Sequence, residues 1–368
     1  MAKQRIIAPT ATDSKEEQSN LSLRPTQLND YVGQSKLIEK LKITLEAVKQ
    51  RSEPMEHVLL HGPPGLGKTT LAHIIANEMN THMISTSGPA LVRPTDLVGT
   101  LTKLQTGDVL FIDEIHRLAP IVEEYIYPAM EDFKIDVTVD SGMHAKTITL
   151  PLKPFCLVGA TTRAGLLSGP MRSRFGITHN LEFYNEDNLL EILVRSAQLL
   201  SIPQSPLEKN KNRDSAPDSF SANLQPLKTI ARRSRGTPRI ANRLLRRVRD
   251  YSQVKADGML THEVVDNALL LEGIDDLGLD EIDRKYLGII GTVYGGGPVG
   301  LEAVAATLGE DSGTLEDLVE PYLLQIGFLA RTRIGRQLTQ HAIKHLNITI
   351  AGESNTVGLF NNSHDLRD

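Results

Sequence analysis

The stretch His57-Val-Leu-Leu-His-Gly-Pro-Pro-Gly-Leu-Gly-Lys-Thr-Thr70 constrains this chain more than any other. An apolar run is followed by Gly62-x4-Gly67-Lys68-Thr69 and then by an apolar helical pattern from Leu71. Such a strand–loop–helix unit is built to hold phosphate. Glycines let backbone N–H groups turn inward, and the helix N-terminus adds partial positive charge. Lys68 is expected to reach the β- and γ-phosphates, and the Thr69 hydroxyl to ligate Mg²⁺. The chain therefore has to contain a strand that feeds this loop, and a parallel α/β sheet is the natural source of one.

The rest of the pattern agrees. Apolar strand candidates at 57–61, 82–86, 109–113, 155–161 and 177–183 alternate with helical stretches such as 69–79 and 120–132. Leu37, Leu41, Leu45 and Val48 predict an earlier helix over 34–51. Residues 133–150 alternate apolar and polar around Ser141-Gly142, a β-hairpin inserted ahead of the fourth strand. From Glu186 onward the pattern is helical. It is interrupted by a Ser/Asn/Lys/Pro-rich insertion at about 203–226. The last folded part has three short helices, 281–293, 301–308 and 314–324, then two strand candidates around Arg333-Ile-Gly335 that read as a two-stranded wing. Polar ends, 1–22 and 347–368, are expected to be disordered.

Composition sets limits. With 368 residues, 40% apolar and 23% charged, the chain is expected to form two or three globular domains. No apolar run reaches the roughly 18 residues of a membrane span. The N-terminus lacks a signal-peptide core, and the single Cys156 sits in an apolar strand candidate, so a cytoplasmic location is expected. The net charge of −5 excludes a uniformly basic nucleic-acid binder. Eight arginines between Arg232 and Arg249, without an acid among them, are either a DNA patch or a solvated helix face with some nucleotide-facing members.

Further residues carry chemistry. Val109-Leu-Phe-Ile-Asp-Glu-Ile-His116 ends a buried strand in two carboxylates. Asp113 is placed to hold Mg²⁺, and Glu114 to orient and polarise the attacking water. Val158-Gly-Ala-Thr-Thr162 ends another strand, where Thr161 is the expected γ-phosphate sensor. Pro170-Met-Arg-Ser-Arg-Phe-Gly176 offers an arginine to a neighbouring site, and Arg235-Gly-Thr-Pro-Arg239 offers one from a lid.

In this order the motifs resemble an AAA+ ATPase. Leu23-Arg-Pro, Asn29-Asp-Tyr-Val-Gly-Gln34, Gly159-Ala-Thr-Thr-Arg-Ala-Gly165, Arg235-Gly-Thr-Pro-Arg-Ile-Ala-Asn-Arg243 and Glu320-Pro-Tyr-Leu-Leu-Gln-Ile-Gly-Phe-Leu329 narrow the resemblance to the RuvB family of bacterial Holliday junction branch-migration motors. The likeness runs from about Leu23 to His345. It implies an α/β AAA+ P-loop core with a parallel sheet over 23–185. A small all-helical lid over 186–274 and a C-terminal winged-helix domain over 275–346 would follow. It also implies ATP and Mg²⁺ as ligands and a homo-hexamer around duplex DNA at four-way junctions. RuvA and a RuvC-type resolvase are the implied partners.

The resemblance also assigns residues. Leu23, Arg24 and Tyr184 would line the base pocket. Gly65, Gly67, Lys68, Thr69 and Thr70 would hold phosphates, with Thr69 and Asp113 at the metal. Glu131, Asp132 and Phe133 fall where the family also contacts nucleotide. Arg174 would be the finger supplied to the next subunit, with Arg172 the weaker candidate, and Arg239 the second sensor. The 133–150 hairpin would dock on RuvA. Its Ile135, Val137, Val139 and Met143 are anchors if they face outward and core residues if they face inward. Arg331 and Arg336 match the family's DNA-contacting wing arginines. The family's central Pro-Arg is replaced here by Arg333-Ile334, which predicts a less rigid wing. Two other classes fit parts of the pattern, a nucleotide-switched sequence-specific regulator and a clamp-loader ATPase. Against the first, Gly313-Thr-Leu-Glu-Asp-Leu-Val-Glu320 carries acids and no base-reading arginine or asparagine.

Overall fold

The computed structural model describes residues 22–138, 147–203 and 224–348. It divides into two compact units, Met1–Leu269 and Leu270–Asp368. The first is built on a five-stranded sheet: β1 (Val58–His61), β2 (Met83–Ser87), β3 (Val109–Asp113), β6 (Cys156–Thr161) and β7 (Ile177–Asn180), in the order β2-β3-β6-β1-β7. All pairings are parallel. The three inner strands are apolar and buried on both faces, while β2 and β7 at the edges are only partly covered. That contrast follows from helices packing on both sides of a parallel sheet.

Register brings the chemistry to one edge. His61 at the end of β1 pairs with Thr161 at the end of β6, and Asp113 at the end of β3 pairs with Ser87. Ligands in open parallel sheets sit outside these carboxyl ends. The helix Lys68–Glu78 starts directly after the Gly62–Gly67 loop, so its N-terminus points at the same edge.

The hairpin is present as β4 (Lys134–Thr138) and β5 (Thr147–Pro151), antiparallel, with Ile135 opposite Leu150 and Val137 opposite Ile148. Its outward-facing reading is corrected. Ile135 is fully buried in the core that also holds Phe155 and Leu157, and Val137 and Leu150 pack partly against it. Burying an Ile side chain contributes about 1.5–3 kcal/mol, enough to fix this face inward at the base of the hairpin. Ile148, nearer the tip, is 40% exposed. Val139 and Met143 lie outside the described residues.

Four helices complete the first unit: Glu186–Leu199, Gln225–Arg232, Pro238–Lys255 and His262–Leu271. The first starts at an Asn185 cap that accepts from the Asn188 N–H at 2.8 Å. Tyr184 N–H donates to the Gly236 carbonyl at 2.8 Å, which ties these helices to the end of the sheet domain.

The second unit has its own core around Tyr286, Leu287, Val304, Leu315 and Leu323. Helix Glu281–Thr292 is opened by a reciprocal cap in which Asp280 and Asp283 each accept the other's N–H. Helix Leu301–Leu308 follows. The helix expected over 314–324 is present and runs without a gap from Ser312 to Gln325, with a π-helical stretch Leu315–Val319 between α-helical Ser312–Thr314 and Glu320–Gln325. Pro321, which lacks an N–H, removes one α-helical hydrogen bond beside that stretch. Strands β8 (Leu329–Thr332) and β9 (Gly335–Leu338) form the wing, followed by helix Gln340–Leu346.

His57 stitches the sheet domain together. Its Nε2 faces the Met130 carbonyl at 3.0 Å and its Nδ1 accepts from the Leu157 N–H at 2.9 Å. That arrangement needs a neutral ring, and burial lowers the His57 pKa despite the opposing pull of Met130 and Glu56. His61, His73 and His179 are lowered too, each first by burial. The unfolded chain therefore takes up protons first as pH falls below the ordinary histidine value of about 6.5, and stability falls with it. Urea midpoints should drop between pH 7 and 5.5, before carboxylates titrate. A flat midpoint across that window would contradict the neutral-ring assignment.

Candidate functional site

The phosphate loop owes its shape to three glycines at positive φ, Gly62 (135°), Gly65 (82°) and Gly67 (101°). At Gly67 a side chain is excluded twice over. The backbone is left-handed, and a Cβ would stand 2.7 Å from the Tyr31 hydroxyl. Lys68 folds back over the loop, donating to the Gly62 carbonyl at 2.7 Å and the Pro63 carbonyl at 2.8 Å. Only 8% of it is exposed. Burial brings its ammonium down to about 8, with Asp113 and Glu114 pulling it up and Arg239 pushing it further down.

The cleft around Lys68 is lined by Gly65, Gly67, Thr69, Thr70, Asp113 and Glu114 on the sheet side. Asp113 accepts from the Glu114 N–H at 2.9 Å. Glu114 has a left-handed backbone (φ 47°), and its carboxylate pairs with Arg117 at 2.8 Å while remaining 43% exposed. One carboxylate and one hydroxyl, Asp113 and Thr69, are a sparse oxygen set. It fits Mg²⁺, which keeps several waters and takes its other oxygens from substrate phosphates. Among the described residues no cluster of three or more His, Cys, Asp or Glu forms a metal cage.

Thr161 does not line the cleft. It is fully buried, and its hydroxyl meets His116 Nδ1 at 2.8 Å and accepts from the Arg163 N–H at 3.0 Å. Its neighbour Thr162 reaches the cleft wall instead.

At the far end, Leu23, Arg24, Tyr31 and Tyr184 form the wall. The Tyr184 hydroxyl donates to the Tyr31 hydroxyl at 2.8 Å, and both lie 3.4 Å from the Leu66 carbonyl. Gly33 makes room for this pair, because a Cβ there would come within 2.6 Å of the Tyr184 ring. From the helical side come Arg239, Asn242, Arg195 and Ile192. Of these only Arg239 was named from sequence. Tyr31 lies inside a quoted motif, but nothing in its spacing marks it as a pocket residue.

Glu131, Asp132, Phe133, Arg172 and Arg174 are not among the residues lining this cleft. Their partners lie elsewhere. The Arg174 guanidinium stacks 4.3 Å above the Tyr127 ring, pairs with Glu131 at 3.1 Å and donates to the Pro170 carbonyl at 2.7 Å. Tyr127 in turn is bonded to Glu123 and Ser168. Arg172 donates to the Ala164 carbonyl at 2.7 Å and stays within its own loop. Phe133 packs edge-on against Phe155 at 5.8 Å, and Asp132 pairs with Lys134 at 2.8 Å.

In the second unit, Arg331 and Arg336 face each other across the wing strands. Both bind the fully buried Glu320: Arg331 Nε and Arg336 Nε each donate to it at 2.8 Å. Arg333 and Ile334 form the exposed apex, with Ile334 77% exposed. The arginine cluster at 232–249 is divided: three of its eight members are buried, Arg239 lines the cleft, and Arg232 and Arg247 are exposed. Arg233, Arg235 and Arg243 are buried, and Arg233 pairs with Asp266 at 2.9 Å. The buried members are structural.

Family comparisons match the same three parts of the chain. The Holliday junction DNA helicase RuvB P-loop domain matches residues 23–181, the RuvB AAA lid domain 219–275 and the RuvB C-terminal winged helix domain 276–347. Among solved structures, the chain is similar to the Thermotoga maritima RuvB Holliday junction branch migration motor. Identity is 49%, the match covers 89% of this chain and 99% of that one, and the TM-score is 0.77. A lysine-to-arginine mutant of Thermotoga maritima RuvB matches at 49% identity over 88% of this chain and 98% of that one, with a TM-score of 0.78. The chain belongs to the RuvB family.

RuvB is an AAA+ P-loop ATPase motor, so the titration of Lys68 is expected to bear on nucleotide affinity. A bound polyphosphate raises the lysine pKa, so above about pH 8 binding has to take up a proton. Affinity for a fluorescent ATP analogue should hold steady from pH 7 to 8. It should then fall by up to about tenfold per further pH unit. Tyr31 and Tyr184 titrate above their usual value of about 10 and are silent in this range. Unchanged affinity up to pH 9.5 would remove Lys68 from the contact.

Proposed function

We propose that this chain is one subunit of a homo-hexameric ring on duplex DNA that hydrolyses ATP to drive branch migration of Holliday junctions during recombination and repair. The observation that carries this reading is a division within the site. Lys68, Thr69, Asp113, Glu114 and Arg239 share one cleft, while Arg174 is held outside it by Tyr127 and Glu131. An arginine that does not reach its own phosphates is suited to a neighbour's.

The residues divide the work as follows. Backbone N–H groups from Gly65 to Thr70 and the Lys68 ammonium bind the phosphates. Thr69 and Asp113 would hold Mg²⁺, which when bound neutralises charge on the β- and γ-phosphates. Glu114 orients the attacking water. Thr162, which lines the cleft, takes the sensing role in place of Thr161, whose hydroxyl connects it to His116 behind. Arg239 brings the helical side onto the phosphates. Leu23, Arg24, Tyr31 and Tyr184 take the base. Arg174 from the adjacent subunit stabilises charge on the transferred phosphoryl group, beside that subunit's Glu131, Asp132 and Phe133.

Coupling to DNA falls to the second unit, where Arg331 and Arg336 bind backbone phosphates without reading sequence, as a translocating motor requires. The β4–β5 hairpin is the docking element for RuvA, with Ile148 supplying exposed apolar surface in place of Ile135. A RuvC-type resolvase joins the same assembly in the cytoplasm. Among the described residues no helix is long and apolar enough to cross a membrane.

The decisive assay is ATP-dependent dissociation of a synthetic four-way junction, with and without RuvA. Lys68→Ala should abolish hydrolysis. Arg174→Ala should still assemble but lose about 10³-fold or more in turnover. Mixing the two inactive variants should regain part of the activity, at interfaces where an intact lysine meets an intact arginine. Full activity of Arg174→Ala alone would overturn the shared-site reading.

A further inference from the structure

We infer that Glu320 is a positioning residue for DNA binding: its buried carboxylate fixes Arg331 and Arg336 so that their outward N–H groups present as one phosphate clamp. The inference rests on the reading of those arginines as DNA contacts. Glu320 has no exposed surface. One of its oxygens accepts from Arg336 Nε at 2.8 Å and from the Tyr286 hydroxyl at 2.5 Å. The other takes Arg331 Nε at 2.8 Å and Arg331 Nη2 at 2.5 Å.

A guanidinium has five N–H donors in a rigid plane, so fixing its Nε edge fixes the direction of the rest. The Arg331 side chain remains 41% exposed and that of Arg336 18%. Rotamer freedom of two long side chains is thus lost on folding rather than on binding.

The same contacts could be taken for a mask that hides the arginines from DNA. Burial argues against it. A mask has to move aside, and Glu320 is pinned by Tyr286 within the core of this unit. Were the arginines to leave it, an unpaired carboxylate would remain buried, which is strongly disfavoured. Phosphates therefore meet the arginines while they stay paired below. The titration agrees. Burial pushes the Glu320 carboxyl up, yet hydrogen bonds from Arg336 and Tyr286 and the charge of Arg331 outweigh it and hold the group ionised. Glu316, 37% exposed and 3.8–3.9 Å from Arg331 Nη1 and Arg336 Nη2, is the natural contrast, a looser ion pair at the surface on the same two arginines.

The test is duplex-DNA affinity of the full chain against salt, for Glu320→Gln, Tyr286→Phe and Glu316→Gln. Removing a negative charge beside DNA should tighten binding on charge alone. The positioning role predicts the opposite for Glu320→Gln: affinity about five- to tenfold weaker, with the slope of log K against log salt shallower by about one to two, as two phosphate contacts loosen. Tyr286→Phe keeps the carboxylate charge and should weaken binding about twofold, which covers the case in which Glu320→Gln does not fold by circular dichroism. Glu316→Gln should bind tighter. Tighter binding by Glu320→Gln, or an unchanged slope in both Glu320→Gln and Tyr286→Phe, overturns the positioning role. Failure of the unmodified chain to bind duplex DNA at all would instead bring down the DNA reading itself, and this inference with it.

Discussion

A nearly buried ammonium governs the first unit. Lys68 has little water to solvate it, and its hydrogen bonds go to two carbonyls of its own loop. Such a charge is stable only if the surrounding backbone is held in place, and it is better satisfied by an anion than by the loop it folds onto. Much of the nearby construction follows. The glycines allow the loop to curl, the tyrosine pair closes its outer side against the Leu66 carbonyl, and the sheet register delivers Asp113 to the same edge. Arg239 deepens the cationic field from the helical side. A polyanion enters where cationic charge is concentrated and water is scarce.

Arginine is handled differently from lysine throughout. Arg174 sits over an aromatic ring with one nitrogen on a carboxylate, and Arg331 and Arg336 share one carboxylate beneath them. In each case a planar cation is held along some of its donors while others stay available. Lys68 has no such fork, and its direction is set only by the carbonyls it meets. The two treatments suit different tasks, since a point charge can swing from loop to phosphate, whereas a finger or clamp has to arrive already oriented.

The sheet was legible because its central strands are short apolar runs ending in functional residues, and the phosphate loop fixes where the first one stops. The same feature hid the facing of individual residues. A strand buried on both sides has no polar alternation, so nothing in Val158-Gly-Ala-Thr-Thr162 tells which threonine leaves the strand toward the cleft. The neighbouring His116, which takes the Thr161 hydroxyl, comes from 45 residues away. The facing of Ile135 was left open for a related reason. Alternation revealed a hairpin with one apolar face but not whether that face met core or solvent, and Phe155 and Leu157 decided it. The π-helical stretch at Leu315–Val319 carries a Pro at position 321 as its only local sign.

Charge was the least readable property, because counting is local and pairing is not. The eight arginines at 232–249 look like a nucleic-acid face when counted, yet three are buried and one of these answers to Asp266, 33 residues from Arg233. The wing looks cationic when read alone, with Arg331, Arg333 and Arg336 in six residues. Glu320 lies 11 and 16 residues before its two partners, in a helix that reads as acidic and therefore as indifferent to DNA. Folding cancels both impressions at once. The acids that argue against base reading by that helix include the one that holds the wing's cations.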